Sequence, residues 1–332
     1  MAPDSHQHEA APPAAPEGST TLPCPVVPFV EPQSALGGLV RPAIGDDCWI
    51  LAGPTASGKT ALSLLLARRL DAEIVSVDSM AVYRGLDIGT AKPTAVQRSE
   101  VPHHLVDLVE PGEIYTVARW LADAASAVES CRRRGKRVLF VGGTPLYLRA
   151  LRDGLDPQPA GDPELRRRLE AEVEAKGSDP LHARLAKVDP VAAARIHPND
   201  ARRIIRALEV VEVTGQPLPT SWADPRPLHP VFSRQMLVLD QPRRILRARI
   251  DRRVEGMFAD GLIEETRAAA SRPGGIGATA RQAAGYAEAL EVLAGRMTPN
   301  QAILLTQQRT RQLAKRQMTW LRSFASAIWI GA

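Results

Sequence analysis

The sequence predicts an α/β fold in which a parallel sheet is flanked by helices and carries a smaller all-helical insertion. Short apolar runs typical of buried strands alternate with helical periodicity at 61–70 and 116–134. Strands that alternate with helices favour a parallel sheet covered on both faces. The predicted strands are 49–52, 73–77, 137–141 and 236–239, the last of which returns the chain to the sheet.

Helices dominate the rest of the chain, and 156–222 contains no convincing strand. Asp162 followed by proline is a typical helix start and Gly177 a typical stop, while Asp200 starts a helix that ends before Gly215. Further helices are predicted at 242–260, 279–293 and 298–324. The positions predicted to face inward are Leu62, Leu65, Leu66, Leu70, Leu165, Leu169, Val173, Ile204, Leu208 and Val211.

These patterns divide the chain into four parts. Residues 1–46 are rich in proline and alanine and lack any helical or strand period, so a disordered tail is predicted. The first part of the sheet domain is 47–155, and the helical insertion is 156–222. Residues 223–332 complete the sheet domain and add basic helices.

The composition is that of a soluble globular protein, with 44% hydrophobic and 24% charged residues among 332. No apolar run approaches the roughly 20 residues that span a bilayer. Cys24, Cys48 and Cys131 have no disulfide or metal spacing, and the N terminus lacks a secretory pattern, which together favour the cytoplasm. A monomer is the default expectation.

The charge is unevenly distributed along the chain. Residues 1–47 carry a net charge of −5, so the remainder of the chain carries +10. Such a basic body suits a polyanionic partner, and it is equally compatible with an arginine-rich surface that has no partner.

A glycine-rich loop follows the first strand and matches G-x-x-x-x-G-K-[ST], which predicts a P-loop-type fold. Glycines let the backbone N–H groups curl around phosphate oxygens, and the next helix adds its positive N-terminal end. Lys59 supplies a cation, and the Thr60 hydroxyl is the predicted ligand of Mg²⁺. The predicted pyrophosphate-binding residues are Gly53, Pro54, Thr55, Ala56, Ser57, Gly58, Lys59 and Thr60.

The loop alone leaves the fate of the phosphate open. Most such loops hold a nucleoside triphosphate in kinases or other NTPases, and ATP would satisfy this one equally well. Two predicted strands end in an aspartate, at Asp78 and Asp240, and either carboxylate could support Mg²⁺. A small-molecule kinase, a group transferase and a non-catalytic RNA-binding protein therefore remain possible at this point.

Further motifs follow the loop in a fixed order. They are VDS at Val77, DIGTAKP ending at Pro93, PHHLVD, VGGTPLYLRAL, VDPVAAARIHPNDARRIIRALEV, arginines up to Arg253, TARQAAGY, and RQLAKRQMTWLR. With them the sequence strongly resembles the tRNA dimethylallyltransferases, which modify adenosine 37 beside the anticodon. The resemblance extends from Trp49 to Trp329.

The resemblance implies that dimethylallyl pyrophosphate binds in the glycine loop and that N6 of a tRNA adenine attacks its allylic carbon. The implied catalytic residues are Asp78 as general base, Thr55 beside the pyrophosphate, and Arg253 as a further cation on the leaving group. An exocyclic amine is a poor nucleophile, so a carboxylate must take its proton. Mg²⁺ is the implied cofactor.

The resemblance also implies a tRNA-binding surface, because an adenine stacked in the anticodon loop must be flipped out to react. Ala81 stands where many relatives have Gln, and Ala287 stands where relatives often have Lys or Arg. Trp320 would either stack on a base or pack in the core. The implied tRNA-binding residues are Asp78, Ser79, Met80, Ala81, Thr144, Arg166, Arg202, Arg203, Ile204, Ile205, Arg206, Arg281, Gln282, Gly285, Tyr286, Arg311, Lys315, Arg316 and Arg322.

Overall fold

A computed structural model describes residues 44–155, 159, 161–217 and 229–331. Most of the predicted disordered tail at 1–46 lies outside these ranges. The described residues form a six-stranded, all-parallel sheet with the order β3-β2-β4-β1-β5-β6. Its strands are β1 (Cys48–Ala52), β2 (Ala72–Val77), β3 (His103–His104), β4 (Arg137–Gly142), β5 (Met236–Asp240) and β6 (Ile328–Gly331).

Helices connect the strands and cover both faces of the sheet, as parallel strands require. None of the helices within the described residues is both long and apolar enough to cross a membrane. The helices are α1 (Lys59–Leu70), α2 (Ala95–Glu100), α3 (Val117–Arg133), α4 (Pro145–Asp153), α5 (Pro163–Lys176), α6 (Asp179–Val188), α7 (Pro190–Arg195), α8 (Ala201–Thr214), α9 (Val231–Arg234), α10 (Arg243–Ala259), α11 (Leu262–Ala270), α12 (Tyr286–Leu293) and α13 (Pro299–Leu321).

The α/β prediction is confirmed, and all four predicted strands are present to within one or two residues at their ends. Strand β4 is central: Phe140 is in register with Ile50 on one side and with Val75 on the other. These three side chains are buried, as expected for strands whose two faces are both covered by helices.

Two strands and one helix were missed, so the prediction that the strand at 236–239 is the last one is wrong. Strand β3 has two residues, which is too short to give a period, and β6 follows the long basic helix at the edge of the sheet. Helix α11 was not predicted. The single helix predicted at 279–293 is also wrong, because Gly285 has a φ of 87° and separates a short 3₁₀ turn from α12.

The inward face predicted for α1 is wrong at one position. Leu65 is 55% exposed, whereas Leu64 and Ala67 are buried against the sheet. Leu62, Leu66 and Leu70 are partly buried beside them. A leucine-rich helix satisfies the helical period on more than one face. The direction in which the chain leaves the preceding loop determines which face meets the sheet.

Helices α5 to α8 share an apolar core of their own. The predicted caps are confirmed: Asp162 accepts hydrogen bonds from Glu164 N and Leu165 N, and Asp200 accepts one from Arg203 N. The predicted boundaries at 156 and 222 lie outside the described residues, so the division into domains stays a prediction. The core residues of this helical region include Leu165, Leu169, Leu181, Leu185, Ile204 and Leu208.

Candidate functional site

The candidate site lies where the parallel strands end, the edge at which α/β sheets bind ligands. Strand β1 leads into the glycine loop, β2 into Asp78, β4 into Gly143 and β5 into Asp240. Strand β4 is paired with both β1 and β2, so their carboxyl ends are neighbours. The topology therefore brings the glycine loop and Asp78 to one edge, as the sequence predicts.

The glycine loop depends on glycine at both of its ends. A Cβ on Gly53 would lie 2.9 Å from Ser57 Oγ and 3.2 Å from Leu239 Cβ, so there is no room for a side chain. Gly58 has a φ of 97°, in the left-handed region that favours glycine. Helix α1 starts at the next residue, which directs its positive end toward the loop.

Lys59 folds back onto the loop. Its Nζ donates to Gly53 O at 2.9 Å and to Pro54 O at 2.7 Å. Burial lowers the pKa of the Lys59 ammonium to about 8, the nearby Asp78 carboxylate opposes this shift, and Arg253 adds to it. These electrostatic effects place Asp78, Lys59 and Arg253 at one site. Arg253 is exposed on α10 and has no ion pair with another described residue.

Asp78 is held by the backbone around it. Its Oδ1 accepts a hydrogen bond from Met80 N at 2.8 Å, and among the described residues its Oδ2 accepts none. Thr144 Oγ1 accepts from Ser79 N at 3.1 Å, and Thr144 N donates to Val77 O at 3.2 Å. The ends of β2 and β4 are thus tied together, and one oxygen of the half-buried carboxylate remains open to a ligand.

The donors at this edge suit Mg²⁺, which prefers oxygen ligands. The Thr60 hydroxyl is exposed at the start of α1, and the carboxylates of Asp78 and Asp240 end two strands of the same edge. Ser57 Oγ is buried in the loop and has no hydrogen-bond partner within the described residues. This unpaired hydroxyl and the oxygen-rich set fit a hydrated cation with phosphate oxygens.

Sequence reasoning missed Gln317 on α13. Its Oε1 accepts from Thr55 N at 2.8 Å and its Nε2 donates to Gly143 O at 2.9 Å. A signal for it existed, because Gln317 lies between Ala314 and Leu321 on the buried stripe of an otherwise basic helix. A polar residue on such a stripe needs buried partners.

The predicted tRNA-binding residues of α13 are mostly available. Lys315, Arg316 and Arg322 are exposed, whereas Arg311 forms an ion pair with Asp251 of α10. The alternatives for Trp320 are not resolved in favour of the core. Its ring is half-buried, with the Arg149 guanidinium 5.8 Å from the ring centroid, and it belongs to none of the apolar clusters.

The insertion presents its predicted residues unevenly. Arg202 and Arg203 are exposed, but the side chains of Ile204 and Ile205 are buried in the core of the insertion. Arg166 and Arg206 both bind the fully buried carboxylate of Glu209, with Arg166 Nε 2.8 Å from Oε1. Removing either arginine would leave a buried charge less well paired.

The TARQAAGY segment also combines surface and core. Arg281 and Gln282 are exposed. Tyr286 is fully buried, donates to Glu265 Oε1 at 2.6 Å and accepts from Gly89 N at 3.2 Å. Ala81 is buried and Met80 is half-buried beside the site. The tRNA-binding role of all these residues stays a prediction.

A second cluster of possible metal ligands lies at the opposite, amino edge of the sheet: Glu73, His104 and Cys131. Arg134 binds both oxygens of Glu73 and helps to lower the pKa of that carboxyl to about 2, while burial raises the pKa of the Cys131 thiol to about 12. A guanidinium in this position satisfies the carboxylate and repels a cation. The cluster is better explained as a structural network.

The fold and the site define an α/β protein whose sheet ends in a pocket for a phosphorylated ligand beside an open carboxylate. The family model described as IPP transferase matches residues 81–324, and the one described as isopentenyl transferase matches residues 47–102. The chain therefore belongs to the IPP transferase family, and it is an enzyme of the transferase class.

Relatives agree with this assignment. The chain is 51% identical over 282 residues to the tRNA dimethylallyltransferase of Anaeromyxobacter dehalogenans, covering 85% of this chain and 93% of the relative. It is 48% identical over 281 residues to that of Geobacter metallireducens, covering 85% and 91%.

Solved structures are also similar. The full-length tRNA isopentenylpyrophosphate transferase of Bacillus halodurans is 40% identical, with a TM-score of 0.60 over 86% of this chain and 89% of that one. A eukaryotic dimethylallyltransferase described as acting on tRNA is 29% identical, with a TM-score of 0.68 over 85% of this chain and 73% of that one.

Proposed function

We propose that this protein transfers a dimethylallyl group from dimethylallyl pyrophosphate to N6 of adenosine 37 next to the anticodon of tRNA. The products are N6-isopentenyladenosine and pyrophosphate. The observation that carries the proposal is the open carboxylate of Asp78, which lies within electrostatic reach of Lys59 at the edge formed by the glycine loop. The names of the relatives support the same reaction.

In this proposal the adenine amine attacks the allylic carbon while the bond from that carbon to the pyrophosphate oxygen breaks. Asp78 accepts the proton that the amine releases. Backbone N–H groups of the loop, Lys59 and Arg253 stabilise the charge that develops on the leaving group. Thr55 contacts the pyrophosphate side. Bound pyrophosphate would replace the loop carbonyls that now accept from Lys59 Nζ.

Mg²⁺ is the proposed cofactor, held by the Thr60 hydroxyl together with pyrophosphate oxygens. When bound, the ion supplies positive charge that stabilises the departing pyrophosphate. The exposed position of Thr60 at the start of α1 and the oxygen donors around it support this assignment. The protein's own groups do the rest: the loop orients the pyrophosphate and Asp78 removes the proton.

The proposed tRNA surface combines the exposed cations of α13 with those of α8, chiefly Lys315, Arg316, Arg322, Arg202 and Arg203. Exposed cations without neighbouring acids suit a phosphate backbone. We infer that the enzyme acts in the cytoplasm as a monomer. Two buried, unpaired cysteines are consistent with a reducing compartment.

The direct test is to incubate the purified protein and Mg²⁺ with unmodified tRNA and radiolabelled dimethylallyl pyrophosphate, followed by nucleoside analysis. Label on the adenosine beside the anticodon is the expected result. No label with any tRNA, together with phosphate release from ATP, would instead favour a kinase. A larger rise in melting temperature with ATP than with dimethylallyl pyrophosphate would point the same way.

A further inference from the structure

A buried carboxamide joins two loops of the candidate site. Gln317 is 7% exposed, and both ends of its side chain are bonded to backbone: Oε1 accepts from Thr55 N, and Nε2 donates to Gly143 O. Thr55 belongs to the glycine loop, and Gly143 to the loop after β4. Because the carboxamide is planar and rigid, its two bonds fix the spacing of the two loops.

The loops already touch at this point. A Cβ on Gly143 would lie 2.5 Å from Gly53 O and 2.8 Å from Gln317 Nε2, so only glycine permits the approach. A contact between backbones allows sliding unless directional bonds prevent it. The hydrogen bonds of Gln317 supply that direction.

Each anchored residue is adjacent to a group that the proposed reaction uses. Thr55 is itself the residue assigned to the pyrophosphate. Thr144 follows Gly143, and its Oγ1 accepts from Ser79 N, next to the base Asp78. One loop therefore carries the leaving group, and the other is tied to the residue that removes the proton of the acceptor amine.

We propose that Gln317 is a positioning residue that holds the pyrophosphate loop and the acceptor loop at the separation needed for transfer. The role rests on the proposed transfer to tRNA. A misplacement of about 1 Å between reacting groups can cost about 10²-fold in rate. Gln317 touches neither substrate in this role and acts through Thr55 and Gly143.

Misalignment has a chemical signature in this reaction. As the bond from the allylic carbon to the pyrophosphate oxygen breaks, water can form the new bond in place of N6. The products are then dimethylallyl alcohol and pyrophosphate, and the water proton is released. A loose pair of loops should raise the share of substrate lost in this way, because the amine is no longer held in line.

Gln307 provides a matched control on the same helix. It is also 7% exposed, and its Nε2 donates to Asp251 O at 3.3 Å and to Glu255 Oε1 at 3.1 Å. Neither partner belongs to a loop of the site. Replacing either glutamine by methionine keeps the length of the side chain and removes its hydrogen bonds.

The experiment compares the full chain with its Gln317→Met and Gln307→Met variants, using tRNA, Mg²⁺ and radiolabelled dimethylallyl pyrophosphate. Turnover, the ratio of dimethylallyl alcohol to prenylated adenosine, and the melting temperature are measured for each. Gln317→Met should lower kcat by about 10–100-fold and raise the alcohol ratio, with a smaller change in the KM for tRNA. Gln307→Met should lose similar stability but keep the wild-type ratio.

Equal kcat and equal alcohol ratios for the two variants would overturn the positioning role while leaving the proposed function intact. A wild-type chain that prenylates no tRNA would overturn the proposed function and this role with it. Should Gln317→Met fail to fold, Gln317→Glu retains an acceptor for Thr55 N and removes the donor to Gly143 O. The same rise in the alcohol ratio is expected, and an unchanged ratio would contradict the role.

Discussion

At the amino edge of the sheet Glu73 is bonded through both oxygens to Arg134 and also meets His104 and Cys131, whereas at the carboxyl edge Asp78 accepts one hydrogen bond, from Met80 N. Both carboxylates belong to or directly follow β2. The amino edge is closed by protein partners, while the carboxyl edge keeps an unshared oxygen.

The cations of the two edges differ in the same way. At the amino edge Lys136 pairs with Asp71 at 2.6 Å. At the carboxyl edge Lys59 donates only to loop carbonyls, and Arg253 has no ion pair among the described residues. The contrast teaches that the type of residue does not identify a site. What identifies it is charge that the protein leaves uncompensated, because a ligand can then supply the missing partner.

The largest effect is expected for Asp78→Ala, which removes the proposed base. Turnover should fall by about 10²–10⁴-fold while affinity for tRNA stays nearly unchanged. Single-turnover kinetics and a binding titration measure the two quantities. Asp71→Ala at the amino edge is the control and should keep wild-type turnover. An active Asp78→Ala variant would remove the assignment of this carboxylate as the base.

Lys59→Met should weaken the binding of dimethylallyl pyrophosphate by about 10–100-fold, the worth of a charge-assisted hydrogen bond. Calorimetric titration of the ligand into each protein measures the change. Lys136→Met removes a lysine that already has an acidic partner, so it should bind the ligand as the wild type does. Equal affinities for the two variants would mean that the open lysine is not part of the pyrophosphate site.

Glu73→Gln should lower the free energy of unfolding by about 1–2 kcal/mol and leave turnover unchanged, because Arg134 loses its charged partner. The pKa of Glu73 is lowered to about 2, from an ordinary value of 4.5. Its contribution to stability is therefore present above pH 4.5 and is lost as the pH falls toward 2. Denaturant unfolding across this range should show a steeper loss for the wild type than for the variant. A loss of turnover at constant stability would contradict the comparison of the edges.

The smallest effect is expected for Lys315→Ala. Binding of tRNA should weaken by a few fold, and the slope of log affinity against log salt should flatten by about one unit. Binding measured at several salt concentrations gives the slope. Lys136→Ala, which removes a paired lysine, should leave it unchanged. A Lys315→Ala slope equal to that of the wild type would place this lysine off the RNA path.

The sequence by itself determined the alternation of strands and helices, the glycine loop and the position of Asp78 at the end of β2. These features are local, because strand and helix periods and loop motifs are written in neighbouring residues. The helix caps at Asp162 and Asp200 were predictable for the same reason. The two-residue β3 and the break at Gly285 were not, since they are fixed by distant partners.

Only the tertiary structure decided which polar groups are paired. Glu73 and Asp78 lie five residues apart in sequence, and nothing local predicts that one meets Arg134 while the other keeps an open oxygen. Likewise, Gln317 contacts Thr55 across 262 residues. The physical reason is that pairing depends on which strands and helices become neighbours. The sequence thus determined which groups reach the edge of the sheet, and the folded packing decided which of them remain free to bind a ligand.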